Sequence, residues 1–456
     1  MRPKYHFTAT QNWLNDPNGL CFLDGEYHLF FQHNPQGNTP GNIGWGHAVS
    51  ADLLHWTELE MALPFDGNVM AFSGSVVIDH DNSSGFGANA MVAIYTAHHI
   101  QKPLQTQHLA YSNDRGRTWN QYAGNPVLDI QKADFRDPKV FWHTPTQRWV
   151  MVLALPDERQ VQFYGASNLK NWTLLSTFGP AGQTGGIWEV PDLFELPFEG
   201  TSKWVLKVDI GTGAQFGGSG GQCFVGHFDG LAFHAENNAW LDYGKDFYAA
   251  LSFSNTERPI WLAWMNNWQY AQATPTTPWR GCMSLPRVLG LRRNSTGIVL
   301  TQNPIAELEQ LRQKTHEVSP SRLEQHSLCL PLGADYFELW LECDLGAAQS
   351  LCVRLEGKNG LSEIGYDSLR QELYLDRRQS GQVTFHSEFA GRHFAQLELV
   401  EPKLRLRLFF DACTLEVFAQ DGEVVLSDLI FPDSKIEAIV LQSTGVVQLE
   451  KLMVWT

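Results

Sequence analysis

Three short strings set a carboxylate beside proline, glycine or an aromatic residue: Trp13-Leu14-Asn15-Asp16-Pro17-Asn18-Gly19, Phe135-Arg136-Asp137-Pro138 and Trp188-Glu189-Val190-Pro191-Asp192. A surface carboxylate gains nothing from such neighbours. Two carboxylates flanking a glycosidic bond are the minimum set for hydrolysing it. One must be ionised to attack or to activate water. The other must carry a proton for the leaving oxygen. Close like charges push one pKa upward, so such a pair separates its own roles. The positive charge of Arg136 is expected to favour ionised Asp137, a poor acid and a good acceptor for sugar hydroxyls. Neighbours along a strand point to opposite faces, so a direct Arg136–Asp137 ion pair is not expected. Taken alone, Asp16 also reads as a turn aspartate in Asp-Pro-Asn-Gly, and Glu189 as a rim carboxylate.

The elements that must position these groups show in a weak repeat. Ser50-Ala51-Asp52-Leu53-Leu54-His55-Trp56, Ser112-Asn113-Asp114-Arg115-Gly116-Arg117-Thr118-Trp119 and Ser167-Asn168-Leu169-Lys170-Asn171-Trp172 each end in tryptophan, and Asp229-Gly230-Leu231-Ala232-Phe233 puts Phe233 at the same spot. The interval suits a four-stranded propeller blade. Four marks and a last unit around residues 250–300 make five blades. Ser73, Asp137 and Glu189 each follow the preceding mark by 17 or 18 residues, and Asp16 fits the first unit. This register predicts equivalent places on successive innermost strands, with the carboxylates converging in one axial funnel. Between the marks lie strand candidates. Gly19–Leu23 and Glu26–Phe31 flank an Asp24-Gly25 hairpin turn, and Val92–Thr96 and Trp149–Ala154 read as buried strands.

The propeller is expected over residues 1–302. A helical linker follows at 303–317, where Leu308 and Leu311 recur at helical spacing. Residues 318–456 then alternate with period two, as in Phe337–Glu342 and Leu404–Phe409, and suggest an antiparallel β-sandwich. The predicted fold class is all-β, a five-bladed β-propeller followed by a β-sandwich.

Composition bounds the partners. The 456 residues carry 33 basic and 49 acidic side chains, a net charge of −16, which disfavours nucleic acid and an anionic membrane surface. Seven cysteines at wide spacing, with no C-x-x-C pair, argue against a disulfide framework or a zinc site. His98 and His99 diverge in an extended strand and read as structural or rim residues, so neither metal nor cofactor is called for. Gly217–Gly221 lacks the lysine and helix of a phosphate loop and reads as a mobile loop at the funnel mouth. The first residues hold no apolar leader and no run is apolar enough to span a bilayer, so the chain reads as cytoplasmic.

Taken in order, the motifs resemble glycoside hydrolase family 32, the invertases, exo-inulinases and levanases. Asn15–Gly19, Phe72-Ser73-Gly74-Ser75, Arg136-Asp137-Pro138 and Trp188-Glu189 with Pro191-Asp192 carry the likeness. Trp45-Gly46-His47-Ala48, Trp279-Arg280-Gly281, Met283–Arg287 and, in the second domain, Leu415–Phe418 with Asp421-Gly422 extend it. The resemblance implies that Asp16 is the nucleophile, Glu189 the general acid/base and Asp137 the transition-state stabiliser. It implies a fructosyl subsite lined by Asn15, Gln32, Phe72, Ser73 and Arg136. Trp13, Trp45 and Trp268 fit two readings, an aromatic wall of that subsite or core packing. Two positions depart from the family pattern. Val190 stands where many members have cysteine, which bears on the pH profile. Pro40 stands where many have tryptophan, which bears on the leaving-group side. The implied partner is a sugar, sucrose or a fructo-oligosaccharide. The implied activity is retaining, exo-acting hydrolysis of terminal β-D-fructofuranosyl residues. A fructosyltransferase with the same nucleophile and a non-catalytic fructan-binding propeller are the competing readings; three carboxylates argue against the last.

Overall fold

The computed structural model describes residues 2–324 and 327–456; Met1, which opens the N-terminal string, and positions 325–326 lie outside them. Five antiparallel sheets follow one another along the first two thirds of the chain. Their innermost strands are Asn12–Leu23, Val69–Asp79, Arg136–His143, Trp188–Phe198 and Tyr248–Ser252. Each of these strands neighbours the next, and the last neighbours the first, closing a ring around an axis. This is the expected five-bladed propeller. A short strand, Trp279–Arg280, leaves the fifth unit and pairs in parallel with Asn12 and Trp13, joining the last unit to the first.

The repeat mark has a structural cause. The indoles of Trp56, Trp119 and Trp172 donate to the carbonyls of Leu53, Gly116 and Leu169, three residues back, at 3.0, 3.1 and 3.0 Å. Aspartates cap the same turns: Asp52 accepts from the amides of Leu54 and His55, and Asp114 from that of Thr118. In the first hairpin Leu23 faces Glu26 across Asp24 and Gly25, both at positive φ, as the Asp-Gly turn predicts.

The chain leaves the propeller along Gly297–Pro304 and enters the second unit at Thr315–Val318. The segment between is shorter and tighter than the helix expected from Leu308 and Leu311. It is a 3-10 helix at Ala306–Leu311, with only Leu308 buried. This short, tight helix suffices because Gln313 and Lys314 already bond to Thr456. A seven-stranded and a six-stranded sheet then form the sandwich. Alternate residues such as Phe337, Leu339, Leu341, Val353, Leu355, Leu406 and Leu408 fill its core.

The sandwich also buttresses the propeller next to the funnel. The backbone of Tyr243 and Asp246 bonds to Val425 and Ser427 at 2.8 and 2.9 Å, just before the fifth innermost strand begins. Arg377, fully buried, donates to Asp246 Oδ2 at 2.5 Å and to the Tyr270 hydroxyl at 2.8 Å. Tyr248–Ser252 is therefore held from outside the propeller as well as by its own sheet.

Candidate active site

The same irregularity recurs in all five innermost strands. Two residues of the inner strand oppose one of its partner between Leu14 and Pro17, Ala71 and Gly74, Arg136 and Lys139, Glu189 and Asp192, and Tyr248 and Leu251. These are β-bulges, which re-aim side chains at the rim of a sheet. Asp137, Val190 and Ala249 sit in the left-handed region, at φ of 66°, 45° and 56°. The bulges explain two departures from the sequence reading. Asp16, Asp137 and Glu189 occupy neighbouring places around the bulge, not one equivalent place. Arg136 and Asp137 also turn to the same side, with Arg136 Nε 3.9 Å from Asp137 Oδ2. Strand alternation fails there because the bulge interrupts it.

Asp16 is almost fully buried. Its Oδ2 accepts from Ser73 Oγ at 2.6 Å and its Oδ1 from Asn15 Nδ2 at 3.0 Å. Asn15 is itself fixed by the Trp13 indole, which donates to its Oδ1 at 2.7 Å. Burial raises the Asp16 pKa, with the bonds from Ser73 and Asn15 and the charge of Lys207 opposing it and that of Glu189 adding to it. Glu189 is the most open of the three. Arg136 donates to its Oε1 at 3.1 and 3.0 Å, and the Tyr248 hydroxyl donates to its Oε2. Asp137 accepts the Val190 amide at 2.9 Å, while its own amide donates to Thr96 Oγ1 at 3.0 Å. Burial pushes the Asp137 carboxyl up to about 7. Arg136 opposes this, but burial outweighs it and the negative charges of Glu189 and Asp16 add to burial, contrary to the expectation that Arg136 would keep Asp137 ionised.

Ser73 is buried against Asp16. Phe72 is partly exposed and stacks flat on His98, centroids 4.5 Å apart. Gln32 is buried and donates to the Ala71 carbonyl at 2.9 Å. The aromatic trio divides. Trp13 and Trp45 are 0% exposed, which supports packing for both. Trp45 donates to the Phe72 carbonyl at 2.9 Å and so supports that bulge from behind. Trp268, partly exposed, stacks on Trp13 at 5.8 Å and presents the open face. The glycine-rich stretch is pinned at both ends of its turn. Phe216 packs on His393 and Phe394 of the sandwich, at 5.0 and 5.2 Å, and Asn267 donates to the Ser219 carbonyl at 3.0 Å. Gly211, upstream of that stretch at the end of the fourth blade's second strand, leaves room for the acid, since a Cβ there would lie 3.1 Å from Glu189 Oε2. Among the described residues, no group of three His, Cys, Asp or Glu side chains is placed to hold a metal ion.

Sequence reasoning missed Tyr248, Lys207 and Asp209. Tyr248 lies in the apolar run Phe247-Tyr248-Ala249-Ala250, just ahead of the fifth unit as drawn from the repeat. Its only signal was that the fifth unit needs an innermost strand like the other four.

A five-bladed propeller with carboxylates on its first, third and fourth inner strands, beside a β-sandwich, defines a glycosidase scaffold. Residues 6–304 match the model of the glycosyl hydrolases family 32 N-terminal domain, and residues 307–456 that of the family 32 C-terminal domain. The chain belongs to glycosyl hydrolase family 32. It is 44% identical over 469 residues to a levanase of Bacillus subtilis, covering 97% of this chain and 68% of the relative. An extracellular exo-inulinase of Aspergillus niger is 38% identical over 493 residues, covering 97% and 92%. The crystal structure of exo-inulinase from Aspergillus awamori superposes with a TM-score of 0.94 at 35% identity, covering 100% of this chain and 98% of that one. A fructofuranosidase from Schwanniomyces occidentalis complexed with fructose gives a TM-score of 0.90 at 33% identity, covering 100% and 97%.

Proposed function

We propose that the protein is a retaining, exo-acting β-fructofuranosidase that releases terminal non-reducing β-D-fructofuranosyl units from sucrose, fructo-oligosaccharides or fructans. In this reading Asp16 attacks the anomeric carbon of the fructosyl unit. Glu189 gives its proton to the departing oxygen, and the fructosyl group stays on Asp16. Glu189 then takes a proton from water, which displaces fructose from Asp16. Asp137 accepts hydroxyl hydrogen bonds as positive charge builds on the ring.

The observation that carries the reading is the unequal environment of the two main carboxylates. Asp16 is buried and held by two donors at fixed positions, as a nucleophile must be. Glu189 is more open, and Arg136 and Tyr248 stabilise the carboxylate left behind once its proton has gone. The names of the relatives, levanase and exo-inulinase, point to the same bond class. Exo-action is supported by the exo-inulinase relatives and by a site set within a ring of inner strands, where a chain end enters more easily than the middle of a polymer. The test is the early product profile on inulin oligomers. Fructose plus substrate shortened by one unit is expected. Early release of mid-sized oligomers sinks the proposal.

A further inference from the structure

Beneath the acid end of the site lies a buried ion pair that the proposed reaction does not use. Lys207 and Asp209 are on Thr201–Ile210, the strand beside Trp188–Phe198, and both are 0% exposed. Asp209 sits directly across from Glu189, and Lys207 across from Asp192. Lys207 Nζ bonds to Asp209 Oδ2 and donates to the Val190 carbonyl at 2.8 Å. Val190 is the residue whose amide donates to Asp137 at 2.9 Å.

We infer that Lys207 is the positioning residue of the acid end: its ammonium clamps the Val190 carbonyl, fixing together the amide that holds Asp137 and the backbone from which Glu189 projects, with Asp209 as its counter-ion. This rests on the roles given above to Asp16, Asp137 and Glu189.

Two arguments separate this from ordinary packing. Val190 is β-branched and stands at φ 45°, a strained conformation that persists only when its surroundings impose it. Among the described residues, its two peptide groups bond, sheet pairing aside, to Lys207 and Asp137 alone. A buried ion pair is also a poor source of stability, because apolar side chains of similar volume do as well or better. Gly221 gives Asp209 Oδ1 room, since a Cβ there would lie 2.6 Å away.

The charge of Lys207 faces a crowded field. Asp16, Asp137, Glu189 and Asp209 supply negative charge. Arg136, itself bonded to Asp134, is the other cation at this level, and Tyr248 donates from the fifth strand. One layer below, Lys139 lies 3.5 Å from Asp192 Oδ1. Lys207 opposes the burial that raises Asp16, so it also helps keep the nucleophile ionised.

The experiment compares Lys207→Met, Asp209→Asn and the double variant Lys207→Met/Asp209→Leu for kcat, KM and the pH profile on sucrose. Lys207→Met is expected to lower kcat by roughly 10²-fold with KM little changed, and to move the acidic limb upward. Burial pushes the Asp209 carboxyl up to about 8, with Lys207 opposing, so Asp209→Asn removes little charge at that limb and leaves it almost unmoved. The double variant loses the cation, keeps the fold, and retains the kcat defect. A purely structural pair leaves the folded double variant with a normal kcat. A folded double variant with the kcat and pH profile of the unaltered protein overturns the inference. Asp16→Asn run alongside separates the two readings: if it is inactive while the double variant is normal, only the role of Lys207 falls, and if it is active, the reaction itself is misassigned.

Discussion

Ser73 Oγ donates to Asp16 Oδ2 at 2.6 Å, joining the innermost strands of the first two blades at the attacking oxygen pair. With Asn15 on the other oxygen, both carboxylate oxygens of Asp16 are aimed. Removing the charge leaves nothing to attack with, so Asp16→Asn is expected to abolish turnover in a folded protein. Ser73→Ala removes one of the bonds that oppose burial. Its acidic limb should move to higher pH, and kcat should fall by about tenfold, the worth of one charge-assisted hydrogen bond. The pH dependence of kcat/KM in both variants checks this. An unmoved limb in Ser73→Ala means that the hydroxyl does not set the ionisation of Asp16.

Glu189→Gln keeps the bonding partners of the acid but removes its proton. For natural sugars kcat should drop by roughly 10²–10⁴-fold. A fructoside with an activated aryl leaving group needs no protonation, and its first step should recover. Measuring both substrates with the same variant separates the two steps. If the aryl fructoside is cut no better than sucrose, the proton donor is another residue.

Asp137 predicts a coupling between function and stability. Its folded pKa, about 7, is raised above the ordinary 3.8. Between those values the folded protein binds the proton more tightly than the unfolded chain does. Stability is therefore drawn down as pH rises through this window, and is lowest from this source above about pH 7. Asp137→Asn removes the cost. Its melting temperature should exceed that of the unaltered protein at pH 8, by the equivalent of about 1–3 kcal/mol, and the gap should close near pH 4. Turnover falls in the same variant. A gap independent of pH, measured by thermal unfolding across the range, contradicts this.

The carboxylates were legible because their strings occur together and in order, although Asp16 alone also reads as a turn residue, and because tryptophan marks set the blade interval. The bulges were not legible. A period-two pattern describes an uninterrupted strand, and nothing in Arg136-Asp137-Pro138 declares that one extra residue is inserted there. Trp204-Val205-Leu206-Lys207-Val208-Asp209-Ile210 reads as a strand with a polar outer face. In a propeller its neighbours cover both faces, and the whole run is buried. Tyr248 was hidden by composition, one aromatic within an apolar run. The motif left Trp45 open between a sugar platform and core packing, and its fully buried place, bonded to the Phe72 carbonyl, supports packing. Sequence separates chemistry from packing well for carboxylates, which are costly to bury, and poorly for tryptophan, which suits both places.

The same asymmetry governs the contact that ties the N-terminal segment to the sandwich. His6 is buried, with Nδ1 2.8 Å from Asp411 Oδ2 and Nε2 2.9 Å from Glu416 Oε1. Burial alone would lower its pKa, but the bonds to the two carboxylates overcome this and raise it to about 9. A histidine whose folded pKa is raised stabilises the fold fully below its unfolded value, 6.5, and loses that contribution as pH climbs through about 9. Glu416 also receives Arg287 Nε at 3.1 Å, so the cluster spans the propeller–sandwich contact. His6→Ala leaves two buried carboxylates short of a cation and should cost about 3–5 kcal/mol at pH 6. The same substitution should cost much less at pH 10, where the imidazole is neutral in either case. Denaturant titrations of both proteins at the two pH values decide the matter. Equal destabilisation at pH 6 and pH 10 would show that His6 acts through shape and hydrogen bonding, not through charge.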